Sequence, residues 1–332
     1  MGSRRAPGAQ VPSPDVAVPA LARQDADEPA PLESAPSPRS WGRAFEDIRK
    51  ALAQRELWGH LGWQDIKQRY RRSVIGPLWI TISMAVTAAA LGGLYSQLFG
   101  QPIGTFMPYV TVGFMIWYFI SACVLEGTET FIANEGLIRF LPAPLMIYVF
   151  RTVWRQILFF AHNVVVYVVV LAIFFNQLDE PYRMINVVPG TNGEPGILHP
   201  GLSWWALLAI PAFIVIVING LWVTLLFGII SARFRDIPPV VSSFMQLFFT
   251  MTPIIWTTDL LSGGAPGSIK AVIEQLAKLN PFYHFIEIFR APLVGQVQSW
   301  THWAVVGGIT VVGWTLALVA LRNYRSRVAY WV

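Results

Sequence analysis

Residues 73–125 contain no Asp, Glu, Lys or Arg. A bilayer core of ~30 Å is crossed by about 20 helical residues rising 1.5 Å each, so this stretch predicts two spans. They part where Gly100, Gln101, Pro102 and Gly104 break the pattern. Four further charge-free blocks, 156–178, 195–232, 237–258 and 291–321, are each long enough for one crossing. The pattern therefore predicts six membrane helices at 78–99, 107–125, 145–175, 204–230, 240–258 and 301–321. The runs do not alternate apolar and polar positions, which points to a helical bundle rather than a barrel.

Ahead of the first span, Trp41, Phe45, Ile48 and Leu52 recur at spacings of four, three and four, with Arg43, Asp47, Arg49 and Lys50 on other faces. This is an amphipathic helix. The theme continues with Trp63, Ile66 and Tyr70 beside Lys67, Arg69, Arg71 and Arg72. Residues 41–72 thus suit an interfacial helix in the cytoplasmic headgroup layer, with packing on a soluble partner as the alternative. Residues 1–40 hold eight prolines, eight alanines and no aromatic residue. That composition predicts a disordered tail, and without an apolar run it is not a signal peptide. Residues 73–332 form the transmembrane domain.

The connections differ in character. Residues 126–144 carry Glu126, Glu129, Glu135 and Arg139 and end in Leu141-Pro142-Ala143-Pro144, which predicts a short polar helix suited to docking. A second tight loop at 231–239 carries Arg233, Arg235 and Asp236, whose plainest role is anchoring helix ends. On the other side, 176–203 reads as a hydrophilic loop rich in Gly, Pro and Asn. Between the fifth and sixth spans, a break at 262–268 precedes two segments of about ten residues, 269–279 and 282–291, bounded by Asn280-Pro281 and Pro292. They are too short to cross, so they are expected to lie on or dip into the outer leaflet as a re-entrant pair.

Composition agrees, with 54% hydrophobic and 13% charged residues. A pI near 9.5 could suggest nucleic acid. Placement argues otherwise: all Lys and Arg except Arg183, Lys270, Lys278 and Arg290 fall on one side of the predicted spans. The positive-inside rule puts that side, and both termini, in the cytoplasm. Cys123 lies within the second span and reads as a small packing residue.

The chain has no G-x-x-x-x-G-K-[ST] loop, no H-E-x-x-H, no paired cysteines and no G-x-S-x-G. Catalysis has little support, and ATP cannot bind through a phosphate loop. No acidic residue falls inside a predicted span, which argues against an ion-coupled carrier. His162-Asn163 and Asn219 suit interhelical hydrogen bonds. The aromatics of the second and fifth spans include Phe114, Trp117, Tyr118, Phe244, Phe248 and Trp256. Such rings can stack on sugars in a channel, or else sit in interfacial belts and face lipid.

Five segments in order carry a resemblance: the run from Trp63 to Gly76-Pro77-Leu78-Trp79, Phe160-Ala-His-Asn163, Ser231-Ala-Arg-Phe-Arg-Asp-Ile237, Thr252-Pro-Ile-Ile-Trp256, and the stretch from Asn280-Pro-Phe-Tyr-His to Ala291-Pro-Leu293. From about Trp41 to the C-terminus the chain resembles the permeases of ABC-2 type polysaccharide exporters. The resemblance implies an all-α membrane protein working as a homodimer with two copies of a separate ATPase, which holds ATP and Mg; this chain carries no cofactor and no metal. The cargo implied is an undecaprenyl-diphosphate-linked glycan of O-antigen, capsule or teichoic-acid type, moved across a bacterial inner membrane. Nucleic acid is not an expected partner.

Coupling to the ATPase would fall to Glu126, Glu129, Glu135 and Arg139, with Arg233, Arg235 and Asp236 nearby. The outer re-entrant region would contain Asn280, Tyr283, His284, Glu287 and Arg290. The collar of Arg69, Arg71 and Arg72 would draw the anionic lipid head. An ABC-2 exporter of a small molecule remains open, as does a membrane-embedded glycosyl- or acyltransferase, although His162, Glu126 and Glu129 form no paired catalytic constellation.

Overall fold

A computed structural model describes Gly2 and residues 39–140, 143–184, 198–258 and 268–332. Almost all of the expected tail, the middle of the 176–203 loop, Leu141-Pro142 and most of the 262–268 break lie outside the described residues. The described residues from 39 onward belong to one compact unit.

Two helices occupy the region expected to form one interfacial helix. These are α1 (Trp41–Ala53), whose first turn is capped by the Ser40 hydroxyl accepting from the Arg43 N–H, and α2 (Arg55–Arg69). The chain bends at Gln54, where ψ is 37°. No Gly or Pro announces this bend. It arises because each helix has its own anchor on the bundle, Asp47 for α1 and the close approach of Gly62 to Trp154 for α2. Trp41, Phe45, Leu52 and Trp63 remain exposed, leaving an apolar stripe beside the cationic residues.

The bundle follows: α3 (Leu78–Leu98), α4 (Ile103–Glu129), short α5 (Glu135–Phe140), α6 (Leu145–Asp179) with a kink at Phe174, α7 (Ala209–Arg233), α8 (Ile237–Met251), α9 (Ile269–Leu279), α10 (Pro281–Leu293) and α11 (Trp300–Trp331). A two-residue antiparallel pair, β1 (Tyr182–Arg183) with β2 (Leu198–His199), follows α6. A 3-10 turn (Trp204–Leu208) leads into α7.

Among the described residues, five helical stretches are long and apolar enough to cross a membrane: α3, α4, α6, the 3-10 turn with α7, and α11. The expected fifth span is shorter than the sequence suggested. Helix α8 has 15 residues, about 22 Å of rise, and stops before Pro253. A proline disfavours helical ψ in the residue before it, and Thr252 is extended at ψ 136°. The last helix exceeds its expectation, continuing past Leu321 to Trp331 because its end packs on α1. There Arg325 Nε donates to Asp47 Oδ2 at 2.6 Å and the Arg322 guanidinium lies 4.8 Å over the Trp41 ring. Asp47 is itself buried and accepts from the free N–H groups of Leu145 and Met146, an anion at the start of α6.

Helix α4 is the axis, with every residue from Gly104 to Trp117 buried, and it is packed by α3, α6, α7, α8 and α10. By contrast α3 buries only Met84, Ala88, Gly92 and Ser96, one residue per turn, and α8 buries only Met245. Lipid tails are as apolar as these side chains, so close packing rather than water exclusion must hold the helices together. Gly127 shows the consequence: a Cβ there would sit 2.9 Å from the Thr224 Cα of α7. Cys123 plays a related part, facing Gly220 across the same contact while its carbonyl accepts from the Thr224 hydroxyl. Gly127→Ala is expected to destabilise the solubilised protein by about 1–3 kcal/mol, read as a lower thermal unfolding midpoint. Gly93→Ala, with nothing within 4 Å, should not lower it.

Candidate functional site

Three polar clusters interrupt the apolar bundle. The first joins α2, α4 and α6 at the end bearing the amphipathic helices. Arg151 and Arg155 lie one turn apart on α6, and the bundle must supply counter-charges for them. Asp65 accepts from Arg151 Nε at 2.8 Å and from Arg155 Nη1 at 2.7 Å. Glu126, near the end of α4, accepts from Arg155 Nε at 3.1 Å and from Gln156 Nε2 at 2.5 Å. Arg151 Nη1 also donates to Asn134 Oδ1 at 3.0 Å. Arg69 reaches Glu126 at only 3.4 Å and stays half exposed.

Asp65, Arg151 and Arg155 are each at least four-fifths shielded, so their mutual attraction is weakly screened. Burial pushes the Asp65 carboxyl upward, but hydrogen bonds and charge from Arg151 and Arg155 outweigh it and hold it below its ordinary value near 3.8.

The second cluster surrounds α5. Glu135 pairs with Arg139 at 2.9 Å and with Arg235 at 3.6 Å, and Arg139 also donates to the Val332 carbonyl. The Arg233 guanidinium lies 5.5 Å from the Trp331 ring centre. Glu129 and Asp236 are exposed. The expected coupling residues therefore divide: Glu135, Arg139 and Arg235 share one surface, whereas Glu126 turns away into the α2–α4–α6 network. Arg71 and Arg72 are exposed just beyond α2.

The third cluster is at the opposite end and assembles the residues expected of the outer region. Asn280 donates to the Thr252 hydroxyl at 2.8 Å and caps α10 by accepting from the Phe282 N–H. Arg290 is fully buried; its Nη1 donates to the Pro253 carbonyl at 2.8 Å, its Nη2 pairs with Glu287, and its guanidinium stacks 3.7 Å from the Tyr109 ring centre. The Tyr109 hydroxyl donates to the Trp256 carbonyl at 3.2 Å. The irregular backbone after α8 thus gets donors from α4 and α10, the condition under which non-helical backbone persists at membrane depth.

His284 Nε2 faces the Lys278 carbonyl at 2.7 Å and its Nδ1 faces His302 Nδ1 at 2.8 Å. A carbonyl only accepts, so in the neutral ring His284 donates from Nε2 and His302 donates to it from Nδ1. Tyr283 packs edge-on to His302.

Of the aromatic candidates, Phe114 and Trp117 are interior, packing on Phe249 of α8, while Trp117 also meets Phe282 of α10. Phe248 meets the same Phe282, and Trp256 Nε1 points to the Thr250 carbonyl. Tyr118 and Phe244 are exposed. Asn219 bridges helices as expected, donating to Thr310 of α11 at 2.8 Å. His162 instead turns to Leu158 of its own helix.

Sequence reading missed Asp65, Gln156, Tyr109 and His302. A signal for Asp65 was available: two arginines four residues apart in a long apolar helix require a carboxylate from elsewhere.

Five helical stretches long and apolar enough to cross a membrane make this a multi-pass helical membrane protein. The chain belongs to the ABC-2 type transporter family, whose membrane-domain profile matches residues 56–294. It is similar to an O-antigen export system permease protein RfbA of Klebsiella pneumoniae, 22% identical over 264 residues, covering 79% of this chain and 88% of the relative. A second RfbA of that species is 24% identical over 199 residues, covering 60% and 68%. The RfbA of Myxococcus xanthus is 21% identical over 240 residues, covering 72% and 83%.

Asp65→Ala should cost about 3 kcal/mol, because it strips a counter-charge from two shielded arginines. Added to Arg151→Ala it should cost much less than the two changes summed, a coupling that a double-mutant unfolding cycle would read. A carboxyl held below its ordinary value adds stability that is complete above about pH 3.8 and lost as pH falls through the depressed value. The wild-type midpoint should therefore not vary with pH on account of this group between about pH 5 and pH 8, and its fall in acid should be smaller once Asp65 is replaced.

Proposed function

We propose that this chain is the permease of an ATP-driven exporter that carries a lipid-linked polysaccharide of O-antigen type across a bacterial inner membrane, with both termini cytoplasmic. The observation that carries this reading is similarity, along most of both chains, to permeases named for O-antigen export. The absence of a phosphate loop supports a separate ATPase that binds ATP and Mg. The exposed α5 surface formed by Glu135, Arg139 and Arg235, with Glu129 and Asp236 nearby, is the site offered for its docking.

The least covered membrane helices, α3 and α8, expose Trp79, Val86 and Leu94 on one and Val240, Phe244 and Leu247 on the other. These faces suit a second copy, with the glycan path between protomers lined by Tyr118, Phe244 and Phe248. In this arrangement α8 and the irregular segment after it together make the sixth crossing, and α9 and α10 re-enter from the outer side. Arg69, Arg71 and Arg72 meet the lipid diphosphate at the inner leaflet.

Export of a small apolar molecule is the second reading, favoured by an apolar cavity of about 470 Å³ bordered by Phe119, Ile216, Val241, Phe248 and Phe285.

Deleting the gene should remove surface polysaccharide and leave finished lipid-linked chains inside the cell; an unchanged surface favours the small-molecule reading, and loss without accumulation refutes export. Arg71→Ala with Arg72→Ala should impair export while the ATPase still co-purifies. Reversing Glu135 and Arg139 together should release the ATPase.

A further inference from the structure

At the end opposite the amphipathic helices, two chain segments meet at a pair of glycines. Gly201 and Gly295 take φ of 84° and 67°, and the Gly201 N–H donates to the Gly295 carbonyl at 3.1 Å. A Cβ on Gly295 would fall 2.2 Å from the Gly201 carbonyl carbon, so only glycine permits the contact. Beside it, the stretch leading to α7 and the stretch leading to α11 border a cavity of about 270 Å³. Its walls carry three indoles, Trp205, Trp300 and Trp303, together with the amides of Gln296 and Gln298 and the Ser203 hydroxyl.

The walls are held in place by the protein itself. The Leu202 N–H donates to the Leu178 carbonyl at 2.7 Å, which fixes one segment. On the other, Trp303 Nε1 donates to Gln298 Oε1 at 3.3 Å and Gln298 Nε2 donates to the Ile288 carbonyl at 3.1 Å, tying that indole to α10. Other groups are unspent. Gln296 Nε2 has only a 3.7 Å contact with the Met184 sulfur, and among the described residues the indole N–H groups of Trp205 and Trp300 have no hydrogen-bond partner. These two rings are 69% and 81% exposed.

No charged side chain borders the space, whereas a lipid phosphate calls for a cation. An apolar chain would leave the amides unused. A pyranose suits both halves of the lining: its C–H face lies flat on an indole, and its hydroxyls donate and accept, as an amide side chain does. The volume lies just under the ~300 Å³ at which sites for drug-sized ligands begin, room for about one or two sugar rings rather than a length of polymer. We propose that this cavity binds a neutral pyranose unit of the glycan, its C–H face on Trp300 and Trp303 and its hydroxyls on Gln296 and Ser203; the assignment rests on the export reading above. Tryptophans that anchor helix ends among lipid headgroups need no such cavity, and Trp204, 88% exposed and outside it, is of that kind.

The test uses the full chain in phosphatidylcholine nanodiscs, titrated with oligosaccharide released by mild acid from the surface polysaccharide of the source bacterium and read by saturation-transfer-difference NMR. The oligosaccharide should bind, and Trp300→Ala should weaken it about tenfold through loss of one stacked ring. Gln296→Ala should weaken it about fivefold, the loss of a neutral hydrogen bond. Trp204→Ala should leave it unchanged, and both exposed-ring variants should keep the wild-type unfolding midpoint. Absence of binding, or binding that ignores Trp300→Ala and Gln296→Ala, overturns the cavity; the export reading then still stands if deleting the gene strips the surface polymer and leaves finished chains inside. Binding as described beside an unchanged surface in the deletion strain keeps the sugar site and overturns the export reading. Fluorescence quenching by bromine-labelled phosphatidylcholine that Trp300→Ala and Trp205→Ala abolish, and that oligosaccharide does not relieve, overturns the sugar assignment in favour of a headgroup belt.

Discussion

Charge inside a low-dielectric bundle must find its partner within the protein, and the pairing of Asp65 and Glu126 with the two arginines of α6 is where this chain meets that demand most fully. Neither carboxylate belongs to α6. One comes from the amphipathic region and the other from the end of the central helix, so satisfying the arginines draws α2, α4 and α6 to one point. Gly62, set against Trp154, allows the approach. Asp47 acts similarly one helix earlier, meeting the unpaired amides that open α6 and the Arg325 side chain of α11. The amphipathic helices are thereby fastened to the bundle at two points, while their apolar stripe stays exposed.

The same constraint acts on backbone at the other end. Helix α8 stops before Pro253, which leaves carbonyls that lipid could not satisfy. Arg290 and Tyr109 satisfy them, and Asn280 holds Thr252. A fully buried arginine is costly unless its donors are used, and here the two Nη groups serve a neighbouring carbonyl and a carboxylate while the guanidinium lies over an aromatic face; Nε alone has no partner. The pair α9–α10 is thus tied to the end of α8, so movement of α8 would be felt in α10 through these contacts.

Between the two ends, α4 is buried over most of its length and α3 and α8 are nearly bare. For a transport subunit this division is economical. The central helix holds the fold, while the lightly packed helices keep most of their faces uncovered. The charged α5 surface stands at the end of α4, so a force applied there has a direct line into the bundle.

Much of this was legible in the amino-acid order. Charge-free runs located five crossing helices, since burying a charge in hydrocarbon costs too much to occur by chance. Proline and glycine placement located the short α9 and α10, and the several ordered motifs located the family. The sequence also singled out Asn280, Tyr283, His284, Glu287 and Arg290 as one region. Tertiary structure alone decided the rest. The end of α8 depended on distant donors that accept a helix break at Pro253, and the bend at Gln54 depended on separate anchors for α1 and α2. Phe114 and Trp117 went inside because α8 and α10 pack over them, which no local periodicity encodes. Glu126 left its neighbours on the docking segment because its counter-charges lie on α6, about thirty residues further along the chain. Hydrophobic runs are local and survive reading in one dimension; the choice of partner for each charge is a property of the folded chain.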